Sequence, residues 1–324
     1  MEVNGEKLKV FITGANGFVG SFVLERLYKK NEFKIGIALR TNSDTWRIKT
    51  IIAKNKIDIF NLDEYPIQEI ISRFRPDIVI HLAAAYAHSK YGLEDIDNMI
   101  YSNVTFPTKM LEAMVENGTK YIINTGTWGE YLIARQNITT DSEVSPSSLY
   151  AATKASFENI LKFYIRANKI KGVTLRLLTV YGPKDSPNSF IPYVINCGIR
   201  GQKANVTSGE QFRDYVYVKD VAKAYELAVG YLLAARESYS SFLIGSGKAH
   251  SLREIGEILK NFNHKLKINW GSKPYNSEET FYVRADITHS RNLLKWWPEY
   301  TIIEGLREAY KYYRSAKKNG WRGN

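Results

Sequence analysis

The sequence predicts an α/β fold in which a doubly wound parallel sheet is followed by a smaller C-terminal α/β lobe. Short apolar segments alternate with helical segments in the first half, a glycine-rich turn follows the first apolar segment, and the alternation stops after Tyr181. Apolar strands separated by helices are typical of a parallel sheet buried on both faces. The 324 residues suffice for one large α/β unit and a second lobe.

Six short apolar segments are predicted as strands, because each is bounded by turn residues. They cover residues 8–13, 33–40, 57–60, 77–83, 120–125 and 173–178. Helices are predicted over residues 18–30, 67–74, 95–117, 149–168, 191–200, 220–235 and 252–261. Pro107 is expected to kink the third of these helices. We assign residues 1–180 to the large domain with 211–246 returning to it, and 181–210 and 247–324 to the smaller lobe.

Composition and charge exclude several classes of protein. No apolar run approaches the roughly 20 residues that a spanning helix needs, so no membrane association is expected. Cys197 is the only cysteine, which rules out an internal disulfide and a multi-cysteine metal site, and no metal is expected. The net charge of +12 comes from dispersed basic residues, so no nucleic-acid partner is expected. The polar residues 1–7 lack an apolar signal core, and we expect a cytoplasmic protein.

The glycine-rich turn at residues 14–20 predicts a dinucleotide site. Glycines let the backbone approach a pyrophosphate, and the N-terminus of the following helix attracts its charge. A glycine-rich turn without a ligand is the alternative, but the strand before it and the helix after it favour a Rossmann-like cofactor site. The predicted cofactor contacts in this turn are Gly14, Asn16, Gly17, Phe18 and Val19.

The end of the second predicted strand bears on the type of cofactor. NAD sites place an acidic residue there to hold the ribose hydroxyls, whereas this strand ends at Arg40. Arg40 suits the 2′-phosphate of NADP(H), which we therefore favour. NAD(H) is the alternative, with Arg40 facing solvent and Asp44 holding the ribose. After the third strand, Asn61 and Leu62 are expected beside the adenine.

Tyr150 and Lys154 predict proton transfer coupled to hydride chemistry. A four-residue step on a helix places both side chains on one face. A neighbouring ammonium favours the phenolate, so Lys154 is expected to lower the pKa of Tyr150 from its usual value of about 10. Tyr150 would then exchange a proton with an alcohol or carbonyl oxygen. Thr125, at the Thr-rich end of the fifth strand, precedes this pair in the chain.

With these motifs in this order, the chain resembles the extended short-chain dehydrogenase/reductase family, in its nucleotide-sugar branch. Residues 176–183 and 213–220 carry further matches, and the resemblance covers roughly residues 8–300. It implies that Thr125 binds the reacting oxygen, that Tyr150 is the acid or base, and that Lys154 holds the nicotinamide ribose. A strand-ending threonine and a surface lysine are the alternatives for Thr125 and Lys154.

The resemblance also implies the remaining contacts. Further cofactor contacts are Leu82, Ala83, Ala84 and Asn103. The substrate, a nucleotide-diphosphate sugar, is expected to contact Tyr86, Thr127, Trp128, Thr179 and Arg213. Arg213 would meet the diphosphate, with an ion pair to Asp214 or Asp220 as the structural alternative. A homodimer is implied, built on the helices around residues 96–116 and 149–167. Its candidate contacts, unless they are core residues, are Phe106, Met110, Phe157 and Phe163.

Departures from the family narrow the reaction. Its 4,6-dehydratases carry Thr-Asp-Glu at the fifth strand end, but here the sequence is Thr-Gly-Thr, so elimination lacks its general acid. The segments at 124–128, 150–154 and 208–211 look most like those of CDP-abequose synthase-like 4-ketoreductases.

Three hypotheses for the function follow. The first is NADPH-dependent reduction of the C4 keto group of a CDP- or dTDP-linked deoxyhexose, in deoxysugar and surface-polysaccharide biosynthesis. The alternative is an NAD(P)-dependent nucleotide-sugar 4-epimerase, which would keep its cofactor bound. The third, a dinucleotide-binding regulator or scaffold without turnover, is disfavoured by the Thr, Tyr and Lys residues.

Overall fold

The computed structural model describes residues 2–3, 6–86, 92–132, 137–276 and 279–318. Its strands are β1 (Glu2–Val3), β2 (Glu6–Thr13), β3 (Phe33–Leu39), β4 (Asp58–Asn61), β5 (Ile78–His81), β6 (Tyr121–Thr127), β7 (Lys171–Leu177), β8 (Thr179–Tyr181), β9 (Lys203–Asn205), β10 (Phe212–Tyr217), β11 (Tyr239–Ile244), β12 (Ala249–Ser251) and β13 (Lys267–Asn269). Seven of these strands form a parallel sheet in the order β11-β7-β6-β5-β2-β3-β4, and β1 pairs antiparallel with β2. The predicted doubly wound α/β fold is confirmed.

Helices cover both faces of the sheet. They are α1 (Phe18–Lys30), α2 (Lys49–Ile52), α3 (Ile67–Phe74), α4 (Leu93–Ile100), α5 (Phe106–Glu116), α6 (Leu149–Ala167), α7 (Phe190–Arg200), α8 (Val218–Ala234), α9 (Leu252–Phe262), α10 (Thr288–Asn292) and α11 (Ile302–Lys318). One apolar core lies between the sheet and the pair α1 and α8. A second core lies on the opposite face, under α3, α5 and α6. Across the described residues, no helix combines the length and the apolar character that crossing a bilayer requires.

The strand order places a crevice at the carboxyl ends of β2 and β5. From β2 the chain proceeds outward to β3 and β4, then crosses back to β5 on the other side of β2. In open α/β sheets, ligands bind where the direction of winding reverses in this way. The glycine-rich turn follows β2 and residues 82–86 follow β5, so both lie at this crevice.

The smaller lobe has sheets of its own. β10 pairs with β8 and β12, whereas β9 pairs with β13. Within the segment 211–246, α8 packs on α1 and β11 pairs with β7 of the large sheet, whereas β10 pairs with β8 in the small sheet. The domain boundaries stay a prediction. The C-terminal segment also contributes to the large domain, since Val283, Ala285 and Trp296 belong to the core under α1 and α8. These residues were expected in the lobe. Their packing against segments so distant in sequence leaves no local pattern from which it could be predicted.

A π-helical turn at Tyr101–Thr105 separates α4 from α5. Pro107 lacks an N–H, and its ring would clash with the carbonyl four residues before it, at Asn103. The π turn contains Asn103, so the irregularity expected at Pro107 lies one turn before it. Widening the helix there turns the buried side chain of Asn103 towards residue 85 and α6. Single π turns inside α-helices occur frequently at functional sites.

Candidate functional site

The glycine-rich turn lies against the end of β5. Gly14 has φ +71°, and a Cβ there would lie 2.5 Å from the backbone nitrogen of Ala83, so only glycine fits. Gly17 is the N-cap of α1 and offers no side-chain cap, which leaves the first-turn N–H groups of Phe18 and Val19 available. These groups and the helix dipole suit a pyrophosphate, and Leu82 and Ala83 form the adjoining wall.

The loop after β3 folds over this turn. Asn16 donates a side-chain hydrogen bond to the carbonyl oxygen of Asp44 at 3.1 Å, and the Asp44 carboxylate accepts from the Trp46 N–H at 3.1 Å. Asn16 therefore holds the loop, and Asp44 closes a turn within it. Arg40 is exposed at the end of β3. Its guanidinium contributes to lowering the pKa of Asp63, whose main cause is the hydrogen bond from the Thr41 N–H.

Two predicted adenine contacts follow β4. The Asn61 amide donates to the Thr41 hydroxyl at 3.1 Å and to the Glu64 carboxylate at 2.8 Å, so its side chain closes the turn. The N–H of Leu62 donates to the Leu39 carbonyl at 2.8 Å, and its partly buried side chain packs on the core under α3. Both residues border the crevice beside the end of β3.

Asn103 braces the segment that follows β5. Its side chain accepts from the Ala85 N–H at 2.8 Å, donates to the Ala85 carbonyl at 2.9 Å and donates to the Thr153 hydroxyl at 2.9 Å. All of its hydrogen-bonding groups are thus engaged with protein groups. Asn103 therefore connects residues 84–86 to α6. The residue predicted to contact the cofactor links two walls of the crevice in the structure.

Tyr150 and Lys154 lie one turn apart on α6. Among the described residues, neither the Tyr150 hydroxyl nor the Lys154 ammonium has a hydrogen-bond or ion-pair partner, although Lys154 is only 1% exposed. The Tyr150 ring packs edge-on against Tyr86, with centroids 5.1 Å apart. A buried ammonium without an acceptor carries a large desolvation cost, so the residues present fit a ligand that brings hydroxyl oxygens, such as a nicotinamide ribose.

The electrostatic surroundings favour a protonated phenol. Burial raises the pKa of Tyr150 to about 12, and Glu130 and Tyr86 act in the same direction. This differs from the expected lowering by Lys154, because burial disfavours the phenolate. Burial also lowers the pKa of Lys154 to about 8, against the opposing effect of Glu130 and Glu158. At neutral pH the pair therefore holds a phenol that can donate a proton and an ammonium that retains its charge.

The two threonines of β6 differ in their availability. The Thr125 hydroxyl donates to the His81 carbonyl at 2.7 Å, so the Tyr225 hydroxyl must be the donor in their 2.7 Å contact. With its one hydrogen engaged, Thr125 cannot donate to a substrate oxygen. Thr127, at the strand end, accepts a long 3.4 Å bond from the Gly129 N–H. Its hydroxyl donates to no described residue, so its hydrogen is available to a ligand.

A buried group of charges supports the turn after β6. The Glu130 carboxylate accepts from the Thr127 N–H at 2.6 Å and from Arg176 Nε at 3.1 Å. Arg176 also donates to Glu158 on α6 at 2.5 Å. A Cβ on Gly126 would lie 2.8 Å from Arg176 Cγ and 2.9 Å from Glu130 Oε1. The position where dehydratases carry their acid thus has no room for a carboxylate side chain.

The predicted substrate residues border the lobe. Arg213 pairs with Glu279 at 2.5 Å rather than with Asp214 or Asp220, and its guanidinium lies 5.7 Å from the centre of the Trp128 ring. Asp214 instead accepts from N–H groups at 246, 247 and 285, and Asp220 from those at 299 and 300. Thr179 lies half-buried in β8, in register with β10, and Tyr86 is 63% exposed.

Sequence reasoning missed three residues of this site: Glu130, Arg176 in its role as an ion-pair partner, and Tyr225. Thr127 and Glu130 have the spacing of a capping box, which was a local signal for the turn. No local signal exists for Tyr225, because its contact with β6 joins residues 100 positions apart.

Comparison with known proteins adds to this geometry. A model of the NAD dependent epimerase/dehydratase family matches residues 10–245. CDP-abequose synthase of Salmonella typhimurium is 27% identical over 311 residues, covering 93% of this chain and 97% of that protein. UDP-glucose 4-epimerase of Lactobacillus helveticus is 26% identical, covering 96% and 98%.

Solved structures agree in fold over nearly the whole chain. The UDP-glucose 4-epimerase of Thermotoga maritima, solved with UDP-glucose, has a TM-score of 0.85 at 25% identity, covering 96% of this chain and 100% of that one. The UDP-glucuronic acid 4-epimerase of Bacillus cereus, solved with UDP-glucuronic acid and NAD, also reaches 0.85, at 23% identity, covering 95% and 99%. Since the family model spans more than two thirds of the sequence, this chain belongs to the NAD dependent epimerase/dehydratase family.

Proposed function

We propose that this protein is an NADPH-dependent reductase of the C4 keto group of a CDP- or dTDP-linked deoxyhexose. The observation that carries the proposal is a pair of groups on α6, the Tyr150 phenol and the buried Lys154 ammonium, at the same edge of the sheet as the glycine-rich turn. Neither group has a hydrogen-bond or ion-pair partner in the described part of the chain. Family membership makes the chain an NAD(P)-dependent enzyme of nucleotide-sugar chemistry. The likeness to CDP-abequose synthase supports reduction.

The proposed mechanism assigns one task to each side chain. The glycine-rich turn and Lys154 would hold a nicotinamide cofactor, which would supply the hydride for the carbonyl carbon. Tyr150, protonated at neutral pH, donates its proton to the oxygen that becomes an alcohol. Thr127 donates a hydrogen bond to the same oxygen as charge develops on it. Lys154 holds the ribose hydroxyls and supplies a positive charge near Tyr150. Thr125, previously assigned to the oxygen, orients Tyr225 and β5 instead.

The choice of NADP(H) over NAD(H) rests on Arg40. β3 ends without a carboxylate at its tip, and the Asp44 carboxylate is engaged with the Trp46 N–H. Arg40 is exposed beside the crevice, and the structure shows no hydrogen bond or ion pair of its guanidinium with a described residue. We propose that it pairs with the 2′-phosphate, in spite of the nearby Asp63 carboxylate.

Replacing Arg40 with Ser is expected to weaken NADPH binding about tenfold and to leave NADH binding nearly unchanged, because one charge-assisted contact is lost. Fluorescence titration of both nucleotides measures this directly. Arg236→Ser, which removes an exposed arginine just before β11 and therefore at the opposite edge of the sheet, is the matched control. Equal affinity of the unmodified protein for NADH and NADPH would contradict the assignment.

We propose that Tyr86, Trp128, Thr179 and Arg213 contact a nucleotide-diphosphate sugar, with Arg213 exchanging Glu279 for the diphosphate.

We also propose a cytoplasmic homodimer formed through α4, α5 and α6. Of its candidate contacts, Met110 and Phe157 are wholly buried within the chain and Phe106 packs partly against its core. Phe163, at 56% exposure, faces outward.

Cofactor consumption tests the reaction. Purified protein is mixed with CDP- or dTDP-linked 4-keto-deoxyhexoses, with NADPH and NADH in parallel. Net oxidation of NADPH with one of these sugars is expected. If no net oxidation occurs and NAD is found tightly bound to the protein, the 4-epimerase is the correct assignment. Tight NADP binding without turnover of any sugar would instead indicate a regulator or scaffold.

A further inference from the structure

We propose that Glu130 is a positioning residue for this reaction, and that its buried carboxylate has two separable effects. Its hydrogen bond fixes the Thr127 end of β6 against α6, and its negative charge keeps the Lys154 side chain in the ammonium form. The inference rests on the proposed function for its kinetic readout, but Lys154 and its surroundings can also be tested by cofactor binding alone.

The first effect follows from the contacts of Glu130. One carboxylate oxygen accepts from the Thr127 N–H at 2.6 Å and the other accepts from Arg176 Nε at 3.1 Å. Arg176 continues to Glu158, which lies one turn beyond Lys154 on the same helix. A continuous set of charged hydrogen bonds thus joins the turn that bears Thr127 to the helix that bears Tyr150 and Lys154.

A role in stability alone does not account for this arrangement. Glu130 is 1% exposed and Arg176 3% exposed, so both charges have lost their hydration. Replacing such buried ion pairs with apolar side chains is often neutral or stabilising, because desolvation cancels the attraction. A carboxylate that only caps the short turn at residues 128–130 would lose less hydration free energy if it reached the N–H from the solvent side. The buried position is explained if the carboxylate must also act on the groups of α6.

The second effect follows from the balance of charge around Lys154. Glu130 from the β6 turn and Glu158 from α6 both favour the ammonium form of Lys154, and the Lys154 charge acts on His81 of β5. Burial raises the pKa of Glu130 itself, and the Arg176 guanidinium hydrogen-bonded to it opposes this rise and favours the carboxylate. His81 is buried and its pKa is lowered well below the usual value, so it contributes no charge at neutral pH.

Glu158 is already shared by two cations. It accepts from Arg176 at 2.5 Å and from Lys162 at 2.7 Å. Without Glu130, the three cations Lys154, Lys162 and Arg176 would face Glu158 alone. The Lys154 ammonium would then lose its proton at lower pH, and Tyr150, whose pKa Glu130 raises, would do so as well.

Two variants separate the two effects. Glu130→Gln keeps an oxygen for the Thr127 N–H but removes the charge and the acceptor for Arg176 Nε. In the profile of kcat against pH, the decrease at alkaline pH is expected to move about one pH unit towards neutrality. The value of kcat at the optimal pH is expected to change less. Glu130→Asp keeps the charge but is one methylene too short. It is expected to lower kcat about tenfold and to leave the alkaline limb in place, because Thr127 is displaced.

The same pH series is run on NADPH affinity, measured by fluorescence, which requires no turnover. The alkaline loss of affinity is expected to shift in Glu130→Gln and not in Glu130→Asp, because Lys154 contacts the cofactor. Glu226→Gln removes a partly buried carboxylate from ion pairs with Arg26 and Lys30 and is the matched control. It is expected to leave both profiles unchanged.

The outcomes are distinguishable. Kinetic and binding profiles of Glu130→Gln that coincide with those of the unmodified protein would overturn the charge effect. An unchanged kcat in Glu130→Asp would overturn the positioning effect. If Glu130→Gln does not fold, Glu130→Asp decides: lowered kcat with an unmoved limb supports the proposal, and an unaltered enzyme refutes it. If the unmodified protein reduces no keto-sugar, the proposed function fails while the binding series still tests Glu130.

Discussion

Replacing Tyr150 with Phe is expected to reduce kcat about 10³-fold and to change NADPH affinity less than about twofold. Tyr150 is half-buried and its hydroxyl has no partner among the described residues, so the change removes one oxygen and no bond that holds the fold together. The phenol is protonated at neutral pH, because burial raises its pKa to about 12. Without it, no described group on α6 can protonate the product oxygen except the Lys154 ammonium.

Single-turnover measurements with saturating NADPH give the rate constant of the chemical step, and steady-state measurements give kcat, so a limit set by product release is recognised. Tyr164→Phe is the matched control: it lies on the same helix, and its hydroxyl donates to Glu112 at 2.6 Å on the α5 side. That variant is expected to keep normal activity. Retention of most activity in Tyr150→Phe would show that another group transfers the proton and would invalidate the mechanism.

Replacing Thr127 with Val is expected to lower kcat about 10²-fold, whereas Thr125→Val is expected to affect stability more than activity. The loss of one hydrogen bond to a developing alkoxide has an effect of this size on kcat. Thr125 donates to the His81 carbonyl and accepts from Tyr225, so its replacement leaves a buried hydroxyl and a carbonyl unpaired. That loss costs about 1–3 kcal/mol in the free energy of unfolding.

The two positions are compared by kcat and by thermal unfolding. Thr127→Ser restores the hydroxyl without the methyl group and is expected to recover most of the activity. If Thr125→Val instead abolishes turnover at unchanged stability, the oxygen is bound by Thr125, as the family resemblance implies. The result would then require Thr125 to release the His81 carbonyl when substrate binds.

The fold and the placement of Tyr150 and Lys154 one turn apart on a helix were predictable because both depend on local periodicity. Parallel strands buried on both faces have continuous apolar runs, which identified β2 to β7. β11 was missed, since its Tyr-Ser-Ser start lacks such a run and its partner is β7, more than 60 residues away. Tyr150 and Lys154 were predicted together because a four-residue step on any helix gives one face.

The assignment of the threonines was not predictable from the sequence. Thr125 and Thr127 alternate with Gly126, so they point to the same side of β6, and no pattern distinguishes them. Only the tertiary contacts show that the Thr125 hydroxyl is engaged: it donates to the His81 carbonyl on β5 and accepts from Tyr225, which the packing of α8 brings to β6. The Thr127 hydroxyl donates to no described residue. Asn103 was likewise assigned to the cofactor, whereas the π turn directs its amide to Ala85 and Thr153.

By itself, therefore, the sequence determined the doubly wound sheet, the glycine-rich turn, the Tyr150–Lys154 pair and the absence of a carboxylate at Gly126. These depend on strand and helix periods and on the backbone freedom of glycine, which act over a few residues. The tertiary structure alone decided which threonine is available and what fills the space beside Gly126. It also decided which charges surround Lys154. Those features arise from contacts among β6, β7, α6 and α8. Burial removes water there, so an unpaired polar group costs much free energy and a hydrogen bond is strengthened.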